Sequence, residues 1–179
     1  MDHAAVLILP GWLNSEAAHW QSRWENAHGY ARVQQHDWLR PLRGDWTVQL
    51  EEAVLAARAP VVLVAHSLGC ILAAWWAAHS RHSARVRAAL LVAPPDVERD
   101  DLRQQIPGWA PVMRRPLPFR AIVAASTDDP YGAFEHATTL AGQWNAELKN
   151  VGPLGHINAD SGLGEWPEGH AWLQTLMKD

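Results

Sequence analysis

The stretch Val61-Val62-Leu63-Val64-Ala65-His66-Ser67-Leu68-Gly69 constrains this chain more than any other. Residues 61–65 form an unbroken, mostly β-branched apolar run, the pattern of a strand buried on both faces. Residues 68–79, LGCILAAWWAAH, are rich in alanine and leucine and read as a helix that starts directly after Ser67. A strand that becomes a helix across one serine needs a tight turn, with small residues two positions to either side of the serine. Ala65 and Gly69 meet that need, alanine standing where the usual pattern has glycine. Such a turn projects the hydroxyl away from the sheet and aims the helix's first N–H groups at negative charge forming beside it.

The rest of the chain alternates in the same way. Further strands are expected at residues 4–9 (AAVLIL, stopped by Pro10 and Gly11), 31–36, 88–92, 121–125 and 147–151. Helices are expected from a cap at Asn14 or Ser15 to about Ala27, with Gly29 as the stop, and from a cap at Asp45 to the break at Pro60, with Trp46, Leu50 and Val54 on one face. Two more are expected at 134–144 and 168–177. Alternating strands and helices imply a parallel sheet covered on both faces, because each parallel crossover needs a connecting element. The expected fold is therefore a three-layer α/β/α sandwich on a mostly parallel six-stranded sheet. With the first strand between the second and third, ligands bind between the Pro10-Gly11-Trp12 loop and the Ser67 turn. At 179 residues, nearly half of them apolar, the chain is expected to form a single domain over 1–179. Residues 93–119, proline-rich and with a charged run at 98–103, read equally well as a solvated loop with one short helix or as a small lid.

Composition narrows the function classes. The net charge is −4 and the basic residues are scattered, so no footprint for a nucleic-acid backbone is visible. Cys70 is the only cysteine, which excludes an internal disulfide and fits a reducing, cytoplasmic compartment. The apolar run at the N-terminus is too short for a signal peptide or a membrane span. Of ten histidines none belongs to a His-Glu-x-x-His motif, so neither a metal nor another cofactor is expected. The eleven tryptophans suit core packing, and Trp20 and Trp109 are candidates for lining a pocket.

A serine hydroxyl is a weak nucleophile and needs a base with an orienting acid behind it. On this topology acid and base follow the serine in the order Asp or Glu, then His, each after a later strand. Ser126-Thr127-Asp128-Asp129-Pro130 follows one such strand, and Gly152-Pro153-Leu154-Gly155-His156 follows the next. His156 is the candidate base, since His136 and His170 fall within expected helices. Asp128 and Asp129 both remain candidates for the acid. The N–H groups of Leu68 and Trp12 are the expected oxyanion donors, with Gly11 permitting close approach. Gly11, Leu13, His66, Trp20 and Trp109 are the expected substrate-binding residues. The spacing thus points to hydrolysis of a small acyl ester. A binding module that keeps the scaffold without the chemistry is the competing reading. A thiol enzyme using Cys70 is weaker, because helix continuation carries that side chain past the turn.

Pro-Gly-Trp at 10–12, His19-Trp20 with Trp24, His66-Ser67, Asp128-Asp129-Pro130 and Gly155-His156 together resemble the compact bacterial and animal α/β hydrolases related to YdeN and to the retinoblastoma-binding serine hydrolase. The resemblance spans nearly the whole chain and continues through His156-Ile157-Asn158 and Gly162 to Trp166, as in the bacterial branch. It implies an α/β-hydrolase fold without the N-terminal strands and large cap of bigger relatives. It also implies that Asp129, directly before proline, is the acid.

Overall fold

The computed structural model describes residues 4–58 and 60–178. Among them six strands, β1 (Ala5–Leu9), β2 (Ala31–Arg32), β3 (Val61–His66), β4 (Val86–Val92), β5 (Arg120–Ala125) and β6 (Glu147–Asn150), form one sheet. Its order is β2-β1-β3-β4-β5-β6, and every neighbouring pair is parallel. The helices are α1 (Trp20–His28), α2 (Arg43–Ala56), α3 (Leu68–His79), α4 (Asp100–Gln105), α5 (Phe134–Gln143) and α6 (Pro167–Met177).

Side chains alternate across the strands and so feed two apolar layers. Leu7, Leu9, Leu63, Ala65, Leu91 and Val123 pack on the side of α2, α3 and α5. Val6, Ile8, Val62, Val64, Leu90 and Ile122 face α1 and α6. Six tryptophans are fully buried between these layers. Each contributes up to roughly 5 kcal/mol of apolar burial. That gain survives because each indole N–H has an acceptor: Trp46 Nε1 donates to the Asp37 carbonyl, Trp109 to that of Pro41 and Trp144 to that of Met113.

Three boundaries that bear on the site differ from the sequence expectation. The first helix starts at Trp20 and not after Asn14 or Ser15, because Leu13 and Asn14 both take positive φ and hold the chain in a loop. The Asn14 carboxamide oxygen is already engaged there by the Ser15 N–H and by Arg32. His19 caps the helix instead, its Nδ1 accepting the Gln21 N–H at 3.1 Å. The second strand ends after two residues, since the chain turns away to run beneath the β1 loop, where the Trp38 carbonyl accepts the Leu13 N–H. Asp45 lies in the first turn of α2, where its charge favours the helix N-terminus, and Leu42 is the cap.

Residues 93–119 carry the short helix α4 but are not merely a solvated loop. Val97, Leu102, Ile106, Trp109 and Val112 are all buried, so this segment forms a packed wall over the C-terminal ends of the strands.

Candidate active site

Ser67 sits between β3 and α3 at φ 54° and ψ −123°, a conformation that L-residues rarely adopt. Holding a non-glycine residue there costs on the order of 1–3 kcal/mol. The surroundings over-determine it. The Ser67 N–H donates to the Val92 carbonyl at 2.9 Å. A Cβ on Gly11 would lie 2.8 Å from the Ser67 Cβ, and one on Gly69 would run into the Leu9 carbonyl. Glycine at 11 and 69 therefore lets the β1 loop and the start of α3 close around the serine.

The Ser67 hydroxyl donates to Nε2 of His156 at 2.8 Å. His156 Nδ1 stands 2.9 Å from both carboxylate oxygens of Asp129, whose side chain is 2% exposed. Asp129 Oδ1 also accepts the Tyr131 N–H. Serine, imidazole and carboxylate thus form one hydrogen-bonded series, with the imidazole in the tautomer whose Nε2 is free to accept a proton. Asp128 faces elsewhere. Its Oδ1 accepts the Ser126 hydroxyl and the Gly155 N–H, both at 2.7 Å. These bonds, the Ser126 hydroxyl first, hold its carboxyl below the ordinary aspartate range. Asp128 is thereby an anchor for the loop that carries His156.

Two further bonds fix that loop. His66 Nε2 donates to the His156 carbonyl at 2.8 Å, and Trp20 Nε1 donates to the Ile157 carbonyl at 2.8 Å. Burial, followed by the nearby His19 and His156, keeps the His66 ring neutral well below the usual histidine range.

A cavity of about 520 Å³ opens over Ser67 and His156. Trp12, Leu13, His66 and Leu68 line it as the sequence predicts, joined by Leu102 and Ile106 from the 93–119 wall. The N–H of Leu68, the first helical residue, has no intrahelical acceptor. Trp12 lines the cavity, and its indole donates to the Leu39 carbonyl.

The structure corrects three expected pocket residues. Gly11 lies against Ser67 and is not among the residues that line the cavity. Trp109 is wholly buried against Trp46, because its N–H is drawn to Pro41 beneath the wall. Trp20 is 1% exposed and lies behind His66, acting as a strut for the His156 loop. Gln21, which sequence reasoning missed, is wholly buried at the strand ends. Its Nε2 donates to the carbonyls of Leu9 and Val64, and its Oε1 accepts the Ser15 hydroxyl. The one available signal was its place beside Trp20 and Trp24 on the apolar stripe of α1. Cys70 is buried, donates to the Val92 carbonyl and has its thiol pKa pushed up by burial, so it has no route to the cavity as a thiolate. Among the described residues no group of three or more His, Cys, Asp or Glu side chains could hold a metal ion.

A parallel sheet of this order, carrying a serine on a strained strand-to-helix turn, defines an α/β hydrolase. The chain belongs to the serine hydrolase family, whose description is "Serine hydrolase" and whose model matches residues 6–175. A structure from Pectobacterium atrosepticum described as a YdeN-like hydrolase is 28% identical, with a TM-score of 0.87 over 98% of this chain and 91% of that one. The ydeN gene product of B. subtilis is 23% identical, with a TM-score of 0.78 over 98% of this chain and all of that one. A carboxylesterase of Bacillus cereus shares the fold at 18% identity and a TM-score of 0.62, over 97% of this chain and 89% of that one. No curated protein sequence matches the chain. Among the described residues no helix is long and apolar enough to cross a membrane.

Proposed function

We propose that this protein hydrolyses small carboxylic esters through an acyl-enzyme on Ser67, with His156 as general base and Asp129 as the group that orients it. The observation that carries this reading is the continuous series from the Ser67 hydroxyl through His156 to a buried Asp129. His156 Nε2 takes the serine proton as Oγ bonds to the ester carbonyl carbon. The resulting oxyanion is met by the N–H groups of Leu68 and Trp12. The carbon–oxygen bond to the alcohol then breaks, and His156 returns the proton to the departing alkoxide. In the second half water gives a proton to His156 and its oxygen to the acyl carbon, releasing the acid and restoring the Ser67 hydroxyl.

Reaction of the purified protein with a fluorophosphonate probe, compared with Ser67→Ala, tests the reading. Stoichiometric labelling of wild type alone, together with turnover of 4-nitrophenyl acetate, is the expected result. An unlabelled wild-type protein would favour the scaffold-only binding module.

A further inference from the structure

The turn that carries the acid is exposed except at the acid itself. Thr127, Asp128, Pro130 and Tyr131 are all exposed, yet the Asp129 side chain is 2% exposed and that of His156 is 11%. A surface turn does not bury a carboxylate unaided, so other groups must cover this one. Two aromatic rings pack against the imidazole it holds. The His66 ring lies with its centroid 4.9 Å from that of His156, and the Tyr131 ring at 4.6 Å with its plane at 60°. His66 comes from the end of β3 and also bonds the His156 carbonyl. Tyr131 comes from the acid's own turn, two residues beyond Asp129.

The main chain around Tyr131 is pinned independently of the ring. Its N–H donates to Asp129 Oδ1 at 2.9 Å, and its carbonyl accepts the Asp96 N–H at 2.9 Å. Arg99 Nη1 donates to the Pro130 carbonyl at 2.9 Å, so the 93–119 wall grips the turn at two carbonyls. The side chain takes no part in these bonds. At 40% exposure the ring adds little to the core, and its hydroxyl bonds to no described residue. What the ring does touch is the base.

The reaction gives that contact a task. Hydrogen bonds at Nδ1 and Nε2 resist only weakly a roll of the imidazole about the line that joins them. Once His156 has taken the serine proton, Nε2–H must turn from Ser67 to the departing oxygen while Nδ1–H stays on Asp129. Water admitted beside Asp129 would compete for that bond and raise the local dielectric, weakening the attraction that keeps the ring in place.

We propose that Tyr131 is a positioning residue whose ring covers the Asp129–His156 hydrogen bond and keeps the imidazole aligned while it takes and returns the proton. It acts through His156. The inference rests on the Ser67 hydrolase reading.

Tyr131→Ala and Tyr131→Phe test it, since both leave the main-chain bonds in place; Tyr131→Ser is made alongside as a second truncation, and melting temperatures show which variants are folded. Acylation is read from the burst of 4-nitrophenol released by 4-nitrophenyl acetate, and deacylation from the steady state. Both steps pass a proton through His156, and the alcohol is absent from the second. In Tyr131→Ala both rates are expected to fall together by roughly tenfold to a hundredfold, the scale of displaced catalytic geometry, while KM stays nearly unchanged. Tyr131→Phe is expected to match wild type. The downfield proton resonance of His156 Nδ1–H, assigned by its loss in His156→Gln, reads the bond directly. It is expected to be sharp in wild type and Tyr131→Phe and broadened by exchange with water in Tyr131→Ala.

A folded truncation with wild-type rates would overturn the inference. So would a higher KM at unchanged kcat, which would make Tyr131 a wall of the cavity and nothing more. A phenylalanine variant as slow as the alanine one would move the effect to the hydroxyl, and a slow alanine variant with a sharp Nδ1–H resonance would show that the ring does not guard the bond; either result refutes the role. Fluorophosphonate labelling of wild type separates the two readings. A labelled wild type with a fast Tyr131→Ala refutes the role of Tyr131 alone, whereas an unlabelled, inactive wild type refutes the hydrolase reading and this inference with it.

Discussion

His66 Nε2 donates to the backbone carbonyl of His156 at 2.8 Å, so the residue directly before Ser67 holds the loop that presents its base. The link joins the end of β3 to a loop ninety residues later and makes the geometry of the pair depend on a neutral, buried imidazole.

Acid sensitivity follows from that imidazole and from His19. Both have folded-state pKa values below the ordinary histidine value, about 3 for His19. Well above pH 6.5 neither ring is charged in either state, and they add no pH dependence. Below that, the unfolded chain binds protons that the fold refuses, so stability falls as pH falls. His19 is expected to remove roughly 2 kcal/mol between pH 7 and 5, and His66 adds a loss in the same direction. Chemical denaturation at pH 7 and pH 5 checks this. His66→Asn should flatten the difference, and an equally steep dependence in the variant would contradict it.

Removing the hydroxyl of Ser67 should leave the fold and abolish the reaction. Ser67→Ala keeps the Cβ that already fits beside Gly11 and adds no atom to the turn. The expected loss in kcat is on the order of a million-fold, as for other hydrolases of this mechanism. A melting temperature near that of wild type confirms that the variant is folded. A rate near that of wild type would remove Ser67 from the mechanism.

Asp129 and Asp128 should separate cleanly. Asp129→Asn would favour the wrong imidazole tautomer and is expected to lower kcat by roughly ten-thousand-fold. Asp128→Asn retains a carbonyl oxygen that can accept from Ser126 and Gly155, so a far smaller loss and a modest drop in melting temperature are expected. Equal losses in the two variants would mean that the anchoring of the loop, rather than the tautomer, limits the rate.

How much of this was readable from the sequence depends on how local each feature is. The parallel α/β class and the Ser67 turn were legible because strands and helices alternate along the chain and β3 and α3 are strongly patterned and adjoin in sequence. The length of β2 and the late start of α1 were not. They are set by Asn14, Arg32 and Trp38, whose partners lie across loops. The choice between Asp128 and Asp129 came from family resemblance alone, since both are acidic residues in one turn and only the bonds to Ser126 and Gly155 distinguish them. Trp20 and Trp109 were misplaced because an aromatic residue near a site in sequence can face it or brace it from behind. Gln21 was missed because a helix glutamine reads as exposed even beside Trp20 and Trp24, and its acceptors, the carbonyls of Leu9 and Val64, carry no side-chain signature.

Chain-length preference tests the shape of the cavity. Leu102, Ile106, Trp12 and Leu68 give it an apolar wall, and its volume of about 520 Å³ falls in the range of sites for small molecules. While methylenes are covered by that wall, each gains about 0.8 kcal/mol, close to fourfold in kcat/KM. A methylene that projects past it gains nothing and leaves apolar surface in water. Ile106 is buried in the 93–119 wall and lines the cavity, so on that side a longer chain meets a packed side chain. Acetyl and butyryl 4-nitrophenyl esters should therefore be hydrolysed with higher kcat/KM than the dodecanoyl ester, measured below the critical micelle concentration. A profile that climbs steadily to twelve carbons would show that the chain finds a further apolar surface. The exposed Leu13, which already lines the cavity, would then mark where that surface starts.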